Sequence, residues 1–340
     1  MSAELLVRTE GRAGRLTLNR PAALNALTHG MCLATEAALN AWRDDPEIDV
    51  VILDATGDRA FCAGGDIAQA TAAGKAGNLA VGRDFWRDEY RMNLMFSTYP
   101  KPVVSFLNGF VMGGGVGYGC HIRHRIVGES TQMAMPECGI GLIPDVGGTW
   151  LLAKAPGHLG LYLALTAARM GPGDAIHAGF ADAFVPESDW PAIKSALCET
   201  GQVVIPHHAA PESPLAAAQA QVDALFAGDI PAILRALQDD GSPLATSALK
   251  AMRRNSPLSM ASTLAMLRPG PGSLADALRQ EFRWTWRSMD QGDFIEGVRA
   301  QIIDKDRNPR WRHARAEDVT EAEVAAMLAP LGADDWREDA

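Results

Sequence analysis

The sequence predicts an α/β protein, with an α/β body over residues 1–200 and a helical region over residues 201–340. Apolar, largely β-branched runs, typical of strands covered on both faces, occur with helical stretches between them at residues 50–55, 101–107 and 125–128. After Trp190 such runs cease and apolar residues recur at helical spacing. Strands separated by helices indicate right-handed crossovers and a parallel sheet.

The individual elements follow from local patterns. Residues 15–19 alternate polar and apolar side chains and predict a strand that ends before Pro21. Thr28 is the expected N-cap of a helix that runs to Trp42. The proline-containing stretch 201–214 predicts an irregular connection, and the acidic stretch 332–340 predicts a solvated, frayed tail. Helices are predicted after the connection at residues 215–225, 230–237, 243–253, 259–267 and 274–289.

Composition and charge exclude several functional classes. Of the 340 residues, 47% are hydrophobic and 21% charged, so a sizeable core can form and wholesale disorder is excluded. The net charge of -10 would repel a polyanion, and no nucleic-acid partner is expected. The five cysteines contain no C-x-x-C pair, which argues against a disulfide framework or a zinc site. Without a signal peptide or a bilayer-length apolar run, the sequence predicts a cytoplasmic protein with no membrane partner.

Two glycine clusters interrupt the α/β body, at residues 61–67 and 112–119. Neither matches the phosphate-binding loop G-x-x-x-x-G-K-[ST] or the dinucleotide spacing G-x-G-x-x-G. Glycines allow backbone N–H groups to approach a ligand, and two such donors on one oxygen form an oxyanion hole. The alternative interpretation is that these glycines serve tight turns and close helix packing. Taken alone, each cluster favours this alternative.

Two acids, Glu137 and Asp145, lie in an apolar, glycine- and proline-rich stretch over residues 135–149. Desolvation there would shift the pKa of a carboxylate toward neutrality, so that the group could act as a base, an acid or a nucleophile. The alternative is that both acids cap helix N-termini, with Asp145 just before a helix that starts near Gly148. The residue pattern leaves these two interpretations equal.

The glycine segments 61–67 and 112–119 and the stretch from Pro136 to Gly148 together resemble the crotonase (enoyl-CoA hydratase/isomerase) superfamily, in this order and spacing. The resemblance runs from about Leu16 to Trp311. It implies a crotonase-like ββα spiral core, followed by a helical C-terminal region that completes the site. The segment 293–311 is similar to a hydrolase subgroup of that superfamily rather than to ordinary hydratases.

The resemblance also implies which residues contact an acyl-CoA ester. The backbone N–H groups of Gly65 and Gly114 would polarise the thioester carbonyl. Ala63, Asp66 and Ile67 would line the substrate beside them.

Three acids receive roles from the same resemblance. Hydratases carry two catalytic glutamates, and this chain has Gly117 at the first position but keeps Glu137 at the second. The hydrolase subgroup pairs that glutamate with an aspartate, which Asp145 matches, and binds substrate through a glutamate that Glu89 matches. By residue pattern alone Glu89 would be a solvated helix acid.

The expected activity is hydrolysis of a short 3-hydroxyacyl-CoA thioester, above all 3-hydroxyisobutyryl-CoA. A hydratase or isomerase that uses Glu137 alone and a non-catalytic acyl-CoA binder are the alternatives. No metal is expected, because nothing in the sequence resembles a paired His or Cys ligand set. No cofactor is expected either, because coenzyme A is part of the substrate. A homo-oligomer is a further possibility. Basic candidates for the CoA phosphates are Arg299, Lys305, Arg83 and Lys75.

Overall fold

A computed structural model describes residues 3–338, which form two compact units that are each discontinuous in sequence. Unit 1 comprises residues up to Gly65, then Asp88–Met133 and Met170–Pro214. Unit 2 comprises Asp66–Arg87, Ala134–Arg169 and the residues from Leu215 onward. The predicted boundary at residue 200 divides the chain into two continuous segments, whereas these units are discontinuous, so that boundary stays a prediction. By contacts, residues 66–87 and 134–169 group with the C-terminal helices.

Unit 1 is built on a largely parallel sheet with the strand order β1-β2-β3-β5-β7-β9. Strands β1 and β2 are antiparallel, and each later neighbouring pair is parallel. A second sheet has the order β4-β6-β8. The strands are β1 (Leu5–Glu10), β2 (Ala13–Leu18), β3 (Val50–Ala55), β4 (Ala60–Cys62), β5 (Val103–Leu107), β6 (Phe110–Met112), β7 (His124–Val127), β8 (Gln132–Ala134) and β9 (Ala183–Phe184).

The helices confirm the α/β prediction and its helical C-terminal half. Thr28 caps the first helix, because its hydroxyl accepts a hydrogen bond from the Met31 N–H at 3.3 Å. The helices are α1 (His29–Trp42), α2 (Ile67–Lys75), α3 (Ala80–Ser97), α4 (Gly114–Cys120), α5 (Gly148–Lys154), α6 (Leu159–Thr166), α7 (Pro172–His177), α8 (Trp190–Thr200), α9 (Pro214–Ala217), α10 (Gln219–Leu225), α11 (Ile230–Asp240), α12 (Pro243–Met252), α13 (Pro257–Leu267), α14 (Leu274–Ser288), α15 (Phe294–Val298) and α16 (Glu321–Leu328).

The core of unit 1 confirms that the β-branched runs are covered strands. Val50 and Ile52 of β3 pack with Val104 and Phe106 of β5 in one fully buried cluster. Trp190, at the start of α8, closes this cluster, and its ring lies 5.4 Å from that of Phe106. Within residues 3–338, no helix has both the length and the apolar character needed to cross a bilayer.

The prediction of a solvated, frayed tail is wrong at Asp335 and Trp336, although the other described residues of 332–338 are exposed. Trp336 is 1% exposed, and its indole N–H donates to the Arg87 carbonyl at 3.2 Å. Asp335 accepts two hydrogen bonds from the Arg283 guanidinium, the shorter at 2.6 Å. One buried aromatic anchor outweighs the acidic composition around it. Asp339 and Ala340 lie outside the described residues.

Candidate active site

The two glycine-rich segments come together in unit 1. Gly64, with φ 116°, follows β4, and Gly114 begins α4 after Gly113, which has φ 48°. A Cβ built on Gly114 would lie 3.0 Å from the backbone nitrogen of Gly65. The segments therefore approach to backbone contact, which the absence of a side chain permits. Gly114 is the first residue of α4, so its N–H has no carbonyl partner within the helix.

Glu89 brings a carboxylate to the same place. It lies on α3, is 2% exposed, and its Oε1 would be 2.9 Å from the same Cβ on Gly114. The interpretation of Glu89 as a solvated helix acid is therefore wrong. Two backbone turns and one buried carboxylate share a small volume in unit 1.

The buried cysteine of the first glycine segment is not a nucleophile at neutral pH. Burial raises the pKa of Cys62 to about 12, a hydrogen bond with Gly64 opposes the rise, and the charge of Glu89 adds to it. Burial likewise raises the pKa of Cys138, beside Glu137, to about 12. Both groups stay neutral thiols, and only the thiolate is nucleophilic. Neither Cys62 nor Cys138 therefore supplies a nucleophile at neutral pH.

Glu137 and Asp145 lie in unit 2, and each is 4% exposed. Glu137 is the first residue of a 3₁₀ turn, Glu137–Ile140, whose N-cap is Pro136. The N-cap of α5 is Gly147, and neither cap position supplies a side-chain hydrogen bond. Pro136 and Gly147 thus hold the N-cap positions that the cap interpretation gave to the two acids.

The C-terminal helices of unit 2 hold the Glu137 turn. The Cys138 carbonyl accepts a hydrogen bond from the Ser256 N–H at 3.0 Å, just before α13. A Cβ on Gly141 would lie 2.4 Å from the Asp293 carbonyl oxygen, and one on Gly297 would lie 2.1 Å from the Ile140 carbonyl oxygen. Backbone thus packs directly on backbone. The segment 293–311, which is similar in sequence to the hydrolase subgroup, begins against the turn that carries Glu137.

A third buried carboxylate, Glu281 of α14, holds the Asp145 turn. Its Oε2 accepts a hydrogen bond from the Gly147 N–H at 2.7 Å. Its Oε1 accepts from the Thr149 N–H at 3.0 Å and from the Thr149 hydroxyl at 2.5 Å. Burial raises the pKa of Glu281 to about 8, the Thr149 and Gly147 donors oppose the rise, and the charge of Asp145 adds to it.

Residue pattern did not identify Glu281, although a signal was available. The buried face of α14 runs through Leu274, Leu278 and Phe282, at the spacing of one helical stripe. Glu281 lies within that stripe and is fully buried. An acid inside the apolar stripe of an amphipathic helix is a buried acid that needs partners.

The remaining predicted contact residues flank the first glycine segment. Ala63 is half-buried and donates its N–H to the Leu24 carbonyl at 3.0 Å. Asp66 stands at the N-cap of α2 without a side-chain cap bond, and Ile67 begins that helix. These three residues stay predictions as substrate contacts.

The basic candidates for the CoA phosphates divide into engaged and exposed residues. Arg299 bonds Glu296, Asp304 and Asp306 at 2.7–2.8 Å, so its charge is already neutralised. Arg83 donates to the Trp286 carbonyl and stacks 4.1 Å from that ring. Lys75 and Lys305 are exposed. Among residues 3–338, no group of three or more His, Cys, Asp or Glu side chains is arranged to hold a metal ion.

Comparison with known protein families supports the resemblance. A family model described as enoyl-CoA hydratase/isomerase matches residues 13–328. The chain is 40% identical to a protein named "3-hydroxyisobutyryl-CoA hydrolase, mitochondrial" from Xenopus tropicalis, over 98% of this chain and 91% of that protein. The human protein of the same name is 37% identical over 98% of this chain and 90% of its own length.

Solved structures show the same fold under other names. A structure described as an enoyl-CoA hydratase from Rhodobacter sphaeroides 2.4.1 has a TM-score of 0.97 and 57% identity, and covers 98% of this chain and 100% of its own. One described as a carnitinyl-CoA dehydratase from Mycobacterium thermoresistibile has a TM-score of 0.92 and 42% identity, and covers 99% of each chain. The crotonase-like fold is confirmed.

Proposed function

This chain belongs to the enoyl-CoA hydratase/isomerase family, and we propose that it hydrolyses the thioester of 3-hydroxyisobutyryl-CoA to the free acid and coenzyme A. One observation carries the proposal. In unit 1 a buried carboxylate, that of Glu89, lies beside the Gly65 and Gly114 turns. The relatives named as hydrolases of this ester agree with it.

The chemistry assigned to unit 1 is recognition and polarisation of the substrate. The N–H groups of Gly65 and Gly114 donate to the thioester oxygen and stabilise the negative charge that develops there; one such donor is worth about 10²- to 10³-fold in rate. The 3-hydroxyl stands on the second carbon beyond that carbonyl, so it reaches a carboxylate next to the donors. Glu89 accepts its hydrogen bond, which an ester without the hydroxyl cannot donate.

The bond-making chemistry is assigned to Glu137 and Asp145. Glu137 either takes a proton from the attacking water or attacks the carbonyl to give a mixed anhydride that water then cleaves. Both routes release the CoA thiol and the hydroxy acid. Asp145 orients the water and takes part in proton transfer. Label found in the Glu137 carboxylate after a single turnover in ¹⁸O-labelled water would establish the anhydride route, because water that opens the anhydride at the glutamyl carbonyl leaves its oxygen there.

Hydration of an enoyl-CoA is the second candidate, favoured by the descriptions of the two similar structures. Position 117, where hydratases carry their first catalytic glutamate, is a glycine buried within α4. A hydration that uses two carboxylates therefore lacks one of them, which ranks hydrolysis higher.

The deciding experiment offers the protein four esters: 3-hydroxyisobutyryl-, 3-hydroxypropionyl-, isobutyryl- and crotonyl-CoA. We expect release of free thiol, fastest with the two 3-hydroxyacyl esters. Loss of the enoyl absorbance of crotonyl-CoA without thiol release would support the hydratase instead. Tight binding with no turnover of any ester would indicate a non-catalytic binder.

We further propose that the reaction is a step of valine breakdown and takes place in the cytoplasm. All five cysteines are free thiols, as in a reducing compartment. The relatives' names place those proteins in mitochondria. Fractionation of cells and tracing of labelled valine through a strain that lacks this protein test both statements.

A further inference from the structure

The turn that carries Asp145 is strained. The Asp145 carbonyl accepts a hydrogen bond from the Gly148 N–H at 2.6 Å, and the residues between them, Val146 and Gly147, have φ 53° and 77°. Positive φ at both central residues is the pattern of a type I′ turn, which favours Asn, Asp or Gly. A β-branched residue such as Val146 is a genuine outlier in that region.

Such a conformation persists only where the surroundings hold it. Glu281 supplies this restraint at the end of the turn, because its two oxygens accept from the Gly147 and Thr149 N–H groups and from the Thr149 hydroxyl. These three donors belong to Gly147 and Thr149, which lie two and four positions after Asp145. Glu281 is fully buried, so water does not compete for its hydrogen bonds.

We propose that Glu281 is a positioning residue for the reaction: it clamps the strained turn after Asp145 and thereby sets where the Asp145 carboxyl acts. This inference rests on the proposed function, in which Asp145 orients the attacking water. Glu281 itself touches no reacting atom in this assignment. Its contribution passes through Asp145, so it must vanish when Asp145 is removed.

A double-mutant cycle tests this dependence. Glu281→Gln keeps the side-chain volume, but the amide has one acceptor oxygen for three donors, so at least one hydrogen bond is lost. In the wild-type background, at about pH 9 where Glu281 is ionised, we expect kcat for thiol release to fall about 5- to 30-fold, while KM changes little. In the Asp145→Asn background, the same substitution should cost less than about 2-fold.

The matched control is Ser288→Ala. Ser288 is fully buried on α14, and its hydroxyl donates to the Thr285 carbonyl at 2.7 Å. This variant removes a buried polar group from the same helix without touching the Asp145 turn. Its kcat should stay within about 2-fold of wild type in both backgrounds, even if its melting temperature falls.

Each outcome decides between the claims. Equal losses of kcat for Glu281→Gln in both backgrounds, or no loss in either, refute the role of Glu281 and leave the proposed function intact. Absence of thiol release by the wild type refutes the proposed function, and the role of Glu281 with it. If Glu281→Gln fails to fold, Thr149→Val replaces it under the same criterion, because it removes one of the three donors and keeps the side-chain shape.

Discussion

Alanine at position 114 tests the pair of backbone donors with one methyl group. The added carbon would lie 3.0 Å from the Gly65 nitrogen and 2.9 Å from the Glu89 Oε1. An oxygen that accepts from an N–H lies about 2.7–3.2 Å from that nitrogen. The methyl group therefore comes as close to Gly65 as the bound thioester oxygen would, and it also presses on Glu89. The backbone at position 114 is not strained for alanine, because its φ is not positive.

The size of the effect follows from this geometry. Loss of one oxyanion donor costs about 10²- to 10³-fold, so kcat/KM for thiol release should fall by at least about 10²-fold. The 3-hydroxyl preference should fall too, because Glu89 has to move. The free energy of unfolding should change by less than ~1 kcal/mol, since alanine favours the helix and the close contacts offset that gain.

Gly30→Ala is the matched control for this substitution. Gly30 lies in the first turn of α1, and only the Thr28 hydroxyl comes within 4 Å of an added Cβ, at 3.9 Å. This variant should keep wild-type activity and gain slightly in stability. Initial rates with 3-hydroxyisobutyryl-CoA and isobutyryl-CoA, together with thermal melts, give the comparison. If Gly114→Ala folds and retains wild-type kcat/KM, the donor pair is wrongly assigned.

Glu137→Gln keeps the shape of the buried side chain but loses the carboxylate, so the rate of thiol release should fall by about 10³-fold or more. The affinity for an acyl-CoA ester, measured by calorimetry, should stay within about 3-fold of wild type. Full turnover by this variant would contradict the assignment of Glu137. Glu89→Gln should reduce the preference for 3-hydroxyisobutyryl-CoA over isobutyryl-CoA by about 10-fold in competition assays, and an unchanged ratio would exclude Glu89 from hydroxyl recognition. Burial alone would raise the pKa of Asp54, but Lys194 at 2.9 Å and the Thr17 hydroxyl hold that pKa below its ordinary value. The stability this gives is full above the unfolded pKa of about 3.9 and is lost as pH falls through the lower native pKa. Asp54→Asn should therefore lower the free energy of unfolding by ~3 kcal/mol at about pH 7, and the difference from wild type should shrink as the pH falls below about 3.9. Denaturation curves that show the same loss at about pH 7 and below about pH 3.9 would contradict this explanation.

The fold was predictable where one local signal decides the structure. Residues 50–53 are apolar at consecutive positions, and such a short run is typical of a strand covered on both faces. Thr28 has the side chain that a helix N-terminus needs. The tail at residues 332–338 was not predictable in this way, because a single contact of Trp336 overrides the local acidic composition.

The site was predictable only in part, because it depends on contacts between distant segments. Residue pattern singled out the glycine clusters and the acids Glu137 and Asp145, but it left turns and helix caps as equal or better interpretations. The resemblance to a family supplied the grouping of Gly65, Gly114 and Glu89, and the structure brings those three together in unit 1. Distances across the chain have no local signature, so pattern alone does not give them.

The backbone contacts around Glu137 explain why the C-terminal region matters to the chemistry. A side chain adjusts to a neighbour by changing rotamer, but a carbonyl packed against Gly141 or Gly297 leaves room for no Cβ at all. Asp293 ties this region further, since its carboxylate accepts from the Ser256 hydroxyl at 2.6 Å and from the Arg312 N–H at 2.9 Å. The backbone of the Glu137 turn is therefore held by residues more than a hundred positions later in the chain, and we expect changes there to alter the reaction without touching a catalytic group.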